Sequence, residues 1–486
     1  KIIKKKYYKY IIYIMSKFLD FFTEGYFTRN TSYDNLDNQM KLVGKIPSPL
    51  DDENIIDVLK KIRVRTFEGK LHILYDEYRE KYGKNFLLPY LRNNVIKDFV
   101  IVSNHLDCEF LSKNNLKKMP NYENILMDGL LSTTDLTHWK KQRNILNMGF
   151  FPSNIKKVLS ISEKRAKSCS KRLSDIRNKT NNKIDILDFF LNETQAQLQL
   201  SLFGTDEEFS EKTNKKLRDS FAFKNKNGET REYLLELMKN IKNGKFNGPL
   251  SKVLNITPQE TETELYGNLM TFSFAGHDTT GNTLAWLIYE LCKNINLQNE
   301  LRKEVEVFWR YNDDSNFITL ADLKKLTLMS KFICETLRKW PALANGTYRE
   351  TTDNYWIRDN ENNKLLFLPK NTYIQIPNYL RHRDKDVWKN PDEFNPYRKF
   401  YKSEIEPINN LGFITPESFR FSPFLHNNRA CIGKMFAIIE MKLMLVYLLK
   451  DYNFFLYNKD NVESQNVGTM APKDLYISIL NSNSKI

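Results

Sequence analysis

The sequence predicts a mainly α fold with a small β region (α+β). Only 17 glycines and 16 prolines in 486 residues leave too few turn residues for a many-stranded β protein. Apolar residues recur at helical spacing along most of the chain. Strand-like runs are few and short: Phe99 to Ser103 and Tyr373 to Ile376. A hydrophobic content of 41%, with 32 Phe and 25 Tyr, supplies a large core.

In chain order, residues 1–22 are basic and aromatic, and the longest uncharged run is Tyr10 to Ser16. That run is far short of the ~20 apolar residues a membrane span needs. The segment fits a bilayer surface or an ordered arm equally well. Residues 1–43 therefore read as a basic aromatic N-terminal segment, possible membrane association included. Gly44 to Pro49 is a stiff break, because each proline restricts the residue before it. Residues 44–486 read as one continuous domain. Helices are expected over Thr66 to Tyr82, His138 to Met148, Ser162 to Arg177, Ile184 to Phe203, Pro258 to Lys293, Leu297 to Trp309, Leu326 to Trp340 and Met435 to Leu449. The one from Pro258 is the longest, with Thr257 as cap, Pro at the first position and Glu260 three after the cap. It would run about 54 Å at ~1.5 Å per residue.

The net charge of +15 comes from 74 Lys+Arg against 59 Asp+Glu, spread through Lys- and Asn-rich loops. No basic helix carries base-reading residues, so no nucleic-acid partner is expected. Cys108, Cys169, Cys292, Cys334 and Cys431 are odd in number and scattered, which is not a disulfide framework. No CxxC pair exists, so zinc ribbons are not expected either.

The chemistry concentrates late in the chain. In Phe424 to Gly433 (FLHNNRACIG), Cys431 follows Arg429 by two residues and precedes an apolar helix. A helix N-terminus favours a thiolate and should lower the thiol pKa. A thiolate is a good iron ligand, and an arginine two residues away can pair with a haem propionate. Midway along the longest helix, Ala275-Gly276-His277-Asp278-Thr279-Thr280 is a weak point where the helix can open. Asp278 could relay protons there and Thr279 could hold a small oxygen species. Glu335 and Arg338 share one helix face, and taken alone look like an exposed pair worth little. Trp139 and Arg143 also share a face, and both can donate to a carboxylate. Arg349 follows a short extended segment.

The order of these pieces is more specific than any of them. WKKQR, AGHDTT, ETLR, NPYRKF and FLHNNRACIG, with GLLSTTD ahead and Ala471-Pro472-Lys473 at the end, resemble the cytochrome P-450 family of haem-thiolate monooxygenases. The resemblance implies that fold, with a long central helix over haem b (iron protoporphyrin IX). It implies Cys431 as iron ligand, Trp139, Arg143, Arg349 and Arg429 as propionate contacts, and Phe424 and Gly433 as bounds of the haem loop. Glu335, Arg338 and Arg398 resemble a buried network behind that loop, and Asp278 with Thr279 an acid–alcohol pair for oxygen activation. The implied reaction inserts one oxygen atom from O2 into an apolar small molecule: a lipid, sterol, fatty acid or secondary metabolite. Electrons would come from a reductase of flavoprotein or ferredoxin type, docked near Lys140, Lys141, Lys434 and Lys442. Two alternatives remain: a peroxide-using or rearranging enzyme (dehydratase or isomerase), and a non-catalytic haem-binding protein. The implied location is membrane-associated facing the cytosol, at the endoplasmic reticulum if eukaryotic, or cytoplasmic. Three departures stand out: Asn427 where the family usually has Gly, Lys399 in the aromatic slot beside Arg398, and a short segment between Gly204 and Pro258.

Overall fold

The structure, a computed structural model, describes residues 46–482 apart from 93–94, 115–116, 122–125, 208, 211–228, 257–260, 313–316, 360–363, 415–417 and 458–461. The N-terminal segment, with its membrane expectation, lies outside the described residues, as does the cap expected at Thr257 to Glu260. Among the described residues no helix is long and apolar enough to cross a membrane.

The architecture is helical with small sheets, as expected from the turn-poor composition. The helices that frame the site are α1 (Leu136–Asn147), α2 (Pro152–Lys179), α3 (Ile186–Leu198), α4 (Glu262–Ala275), α5 (Asp278–Lys293), α6 (Ile295–Tyr311), α7 (Thr327–Lys339) and α8 (Lys434–Asp451). Helix α8 is buried almost all round, from Ile438 to Leu449, and packs against α2 and α6. An unbroken apolar surface permits only that central position.

The sheet beside the site joins strands from distant parts of the chain. β1 (Asn85–Arg92) pairs antiparallel with β2 (Val95–Val102), which runs parallel to β4 (Tyr373–Ile376). β3 (Thr347–Glu350) closes the edge, with Arg349 opposite Ile374. A late hairpin of β5 (Ser464–Val467) and β6 (Thr469–Pro472) lies against α5.

Several boundaries differ from expectation. The helix expected over Thr66 to Tyr82 is two, Ile55–Phe67 and Leu71–Tyr82. Gly69 separates them at φ +69, and a Cβ there would meet Gln465 Cγ at 2.5 Å. Helix α2 begins ten residues before Ser162, at Pro152, where proline suits the first turn. The stretch expected over Ile184 to Phe203 ends in a wide π turn, Gln199–Phe203. The longest helix is likewise two described pieces: α4 starts after Thr261, whose side chain accepts from Glu264 N–H, and the chain breaks at Gly276 and His277 before α5.

Candidate functional site

The loop before α8 is held by its own backbone. Cys431 N–H donates to the Phe424 carbonyl at 2.8 Å, and Ala430 N–H donates to Asn427 O at 3.0 Å. Leu425 and Asn427 take φ of 60° and 52°, left-handed values that a β-branched residue would resist. Asn tolerates that region, so the loop forms without the glycine usual at 427. Gly433 caps α8, and its N–H lies beside the Cys431 sulfur.

Cys431 has exposed surface although protein surrounds it, as a side chain on the wall of an interior cleft would. Burial pushes its thiol above the ordinary value, against the Gly433 N–H, Arg143 and Lys434, which act in the opposite sense. The lowered pKa expected from the helix terminus is therefore reversed. Desolvation outweighs that hydrogen bond and both cations here.

Cations crowd that same wall. The Arg429 guanidinium lies 3.6 Å over the Trp139 ring. Burial, then the nearby Arg349 and Arg143, push Arg429 down to about 8. Burial lowers Arg349 to about 10, and its Nη1 donates to the Tyr348 carbonyl at 2.9 Å. Burial likewise lowers Arg143, while the Cys431 thiol raises it. The structure thus brings Trp139, Arg143, Arg349, Arg429 and Cys431 together. It adds Lys118, which donates to the Leu131 carbonyl and is held far below its ordinary pKa by burial, Arg349 and Arg429. Sequence reasoning missed Lys118, one lysine in a lysine-rich chain without distinctive spacing. This donor set fits a dianion, and the two propionates of a haem are one.

Glu335 and Arg338 are completely buried, each with 0% side-chain exposure. The exposed pair suggested by their spacing alone is thus overturned. Arg338 Nε and Nη2 donate to the two Glu335 oxygens at 2.8 Å each. Arg338 Nη1 donates to the carbonyls of His382 and Pro391 at 2.9 and 2.7 Å. Arg398 Nε donates to Glu335 Oε1 at 3.3 Å, and its Nη2 to Asn390 O and Glu393 O at 3.0 Å each. Lys399 leaves this geometry intact. Phe424 packs at the margin of the main core.

Asp278 and Thr279 form a second group at the start of α5. Thr279 Oγ1 donates to the Ala275 carbonyl at 3.0 Å, across the helix break. From α3, Thr194 Oγ1 lies 2.9 Å from the carbonyls of both Phe190 and His277, which share its one proton, and His277 O also accepts Gly281 N–H. His277 Nδ1 donates to Ser273 O at 2.7 Å. A Cβ on Gly276 would meet Leu198 Cδ1 at 2.7 Å and the Phe272 carbonyl at 2.8 Å, so glycine eases the approach of α3 to the break. Asp278 accepts from Thr469 Oγ1, and burial raises its carboxyl pKa while His277 and that hydrogen bond lower it.

The expected cationic docking face loses a member. Lys442 is fully buried, and its Nζ donates to Leu323 O at 2.9 Å and Ser330 Oγ at 2.8 Å. A lysine can be buried where carbonyls and a hydroxyl take up its donors. Lys140 and Lys141 are exposed and Lys434 is half-buried.

The family model described as cytochrome P450 matches residues 208–479. Cytochrome P450 3A29 of Sus scrofa is 32% identical over 221 residues, 46% of this chain and 39% of the relative. Cytochrome P450 3A15 of Cavia porcellus is 29% identical over 267 residues, 55% and 48% respectively. The matched stretch spans less than half the length of these curated relatives. The crystal structure of cytochrome P450DA heme domain superposes with a TM-score of 0.65 at 19% identity, covering 90% of this chain and 98% of that one. That likeness concerns the fold. With the family model spanning more than half of its length, the chain belongs to the cytochrome P450 family.

Proposed function

We propose that the chain is a haem-thiolate monooxygenase that inserts one oxygen atom from O2 into an apolar small molecule with electrons from a reductase. The observation that carries this reading is the placement of Cys431 on a backbone-locked loop beside a cluster of the buried Arg349 and Arg429 with the half-buried Arg143 and Lys118. Haem b bound there through Cys431 would supply the oxygen chemistry.

The chain's own residues have the following parts. Arg143, Arg349, Arg429, Lys118 and the Trp139 indole N–H hold the two propionates by charge-assisted hydrogen bonds. Glu335, Arg338 and Arg398 fix the segment behind the loop, so the sulfur keeps one position. The break at Gly276 and His277 is where the groove for a small ligand is proposed. Asp278 holds a proton at its carboxyl, and Thr279 presents a hydroxyl that leaves Ala275 O to bond a ligand in the groove. Phe272, Leu343, Ala344 and Met470 supply apolar walls that select an apolar substrate. Lys140, Lys141 and the half-buried Lys434 form the positive patch for an acidic flavoprotein or ferredoxin-type donor. The retained Asp278–Thr279 pair favours oxygen activation over rearrangement.

The test is Cys431→Ser in the haem-reconstituted protein. The parent should give a thiolate-type band with CO after reduction, and product from apolar substrates with a reductase and NADPH. The variant should lose both. A band that survives the substitution assigns the ligand elsewhere, and turnover with hydroperoxide but never with reductase rejects the monooxygenase.

A further inference from the structure

The hydroxyl of Thr469 sits between two polar groups of α5. Asn282 Nδ2 donates to Thr469 Oγ1 at 2.7 Å, and Thr469 Oγ1 donates to Asp278 Oδ2. Asn282 and Asp278 are four residues apart on one helix face, while Thr469 reaches them from β6. That hairpin is pinned beside them: Trp286 Nε1 donates to the Met470 carbonyl at 3.1 Å, and its ring stacks on Trp340 at 3.8 Å. Asn282 Oδ1 is buried with no hydrogen-bond partner among the described residues.

We infer that Thr469 and Asn282 are positioning residues for Asp278, forming a reversible hydrogen-bond chain that holds its carboxyl in either protonation state. The inference rests on the monooxygenase reading above. An ionised carboxylate only accepts, so Thr469 must give it its single proton and accept from the Asn282 amide. A protonated Asp278 donates instead. Thr469 Oγ1 then accepts from it and turns its own proton toward Asn282, whose amide rotates to present Oδ1. A hydroxyl joined to an amide serves both states, because each can donate or accept. The spare Oδ1 is the acceptor that the second state requires. Neither state leaves the carboxyl without a partner, so a proton can arrive at Oδ2 and leave it without an unmade bond.

The test compares Thr469→Val, Thr469→Ser and Asn282→Leu with the parent holoenzyme. Its first readout is the pair of carboxyl infrared bands, ionised or protonated, that vanish in Asp278→Asn. Thr469→Val and Asn282→Leu should shift those bands, and Thr469→Ser should leave them in place. The second readout is peroxide released per NADPH with reductase and substrate. It should rise several-fold in Thr469→Val, less in Asn282→Leu, and return to the parent level in Thr469→Ser. Unshifted bands in Thr469→Val, or Val and Ser variants that behave alike, would overturn the inference. Failure of the underlying reading looks different: Asp278→Asn and Thr279→Ala would then couple like the parent, or no thiolate-type CO band would form.

Discussion

The two walls of the site handle polar groups in opposite ways. On the cysteine side Glu335 is tied down: it receives Nε and Nη2 of the buried Arg338, Nε of Arg398 and the Asn395 N–H. On the helix side the same chain interrupts its own ladder at Gly276 and His277; there Ala275 O accepts the Thr279 hydroxyl, and His277 O, which accepts Gly281 N–H, has the Thr194 hydroxyl beside it. Hydroxyl bonds of that kind can be exchanged, whereas a bidentate ion pair in the interior cannot without great cost. Under the proposed function, rigidity falls where a ligand atom needs one position and exchangeable bonds fall where protons pass.

Substitutions on the two walls should therefore fail differently. Glu335→Ala removes the carboxylate from a buried Arg338 and should cost about 3–5 kcal/mol. Chemical denaturation should show that loss together with poor haem retention; near-parent stability would mean that the network does not hold the loop. Gly276→Ala puts a methyl against Leu198 and the Phe272 carbonyl, at 2.7 and 2.8 Å, and should cost about 1–3 kcal/mol. Here the cysteine side stays intact, so the CO band should persist while coupling drops. Asn427→Ala, at φ 52°, should cost about 1 kcal/mol, and Asn427→Gly should restore or exceed parental stability by thermal melting. Equal melting points for the two would remove the strain argument for the loop.

The last effect is a slope and not a step. Burial pushes Lys442 down to about 7, below its value in the unfolded chain. The unfolded state then holds the extra proton between about 7 and roughly 10.4, so stability rises with pH across that window. As pH falls through the window that gain disappears, and below it the contribution is constant. Lys442→Met should flatten this slope in denaturation midpoints measured across the window. An unchanged slope would assign the dependence to another group.

Much of this was legible in the sequence. The mainly helical fold followed from scarce turn residues, and its short strands from local pattern. What escaped needed distance. Thr469 and Asn282 are 187 residues apart, and no local spacing joins them. Lys442 looked like a surface charge because lysine is nearly always exposed, and its acceptors lie more than a hundred residues upstream. The direction of the Cys431 shift failed for a related reason. A helix terminus can be read from sequence, but the crowding that strips water from a thiol cannot. Gly69 ended a helix early because a remote strand lies against it, at Gln465.

The Thr194 hydroxyl has a mechanical consequence. It grips the one peptide at which the long helix parts, and it belongs to α3, whose C-terminal end runs into the wide turn at Gln199–Phe203. One side chain thus ties the end of α3 to the break in the long helix, and a substitution that displaces either end is felt at the other.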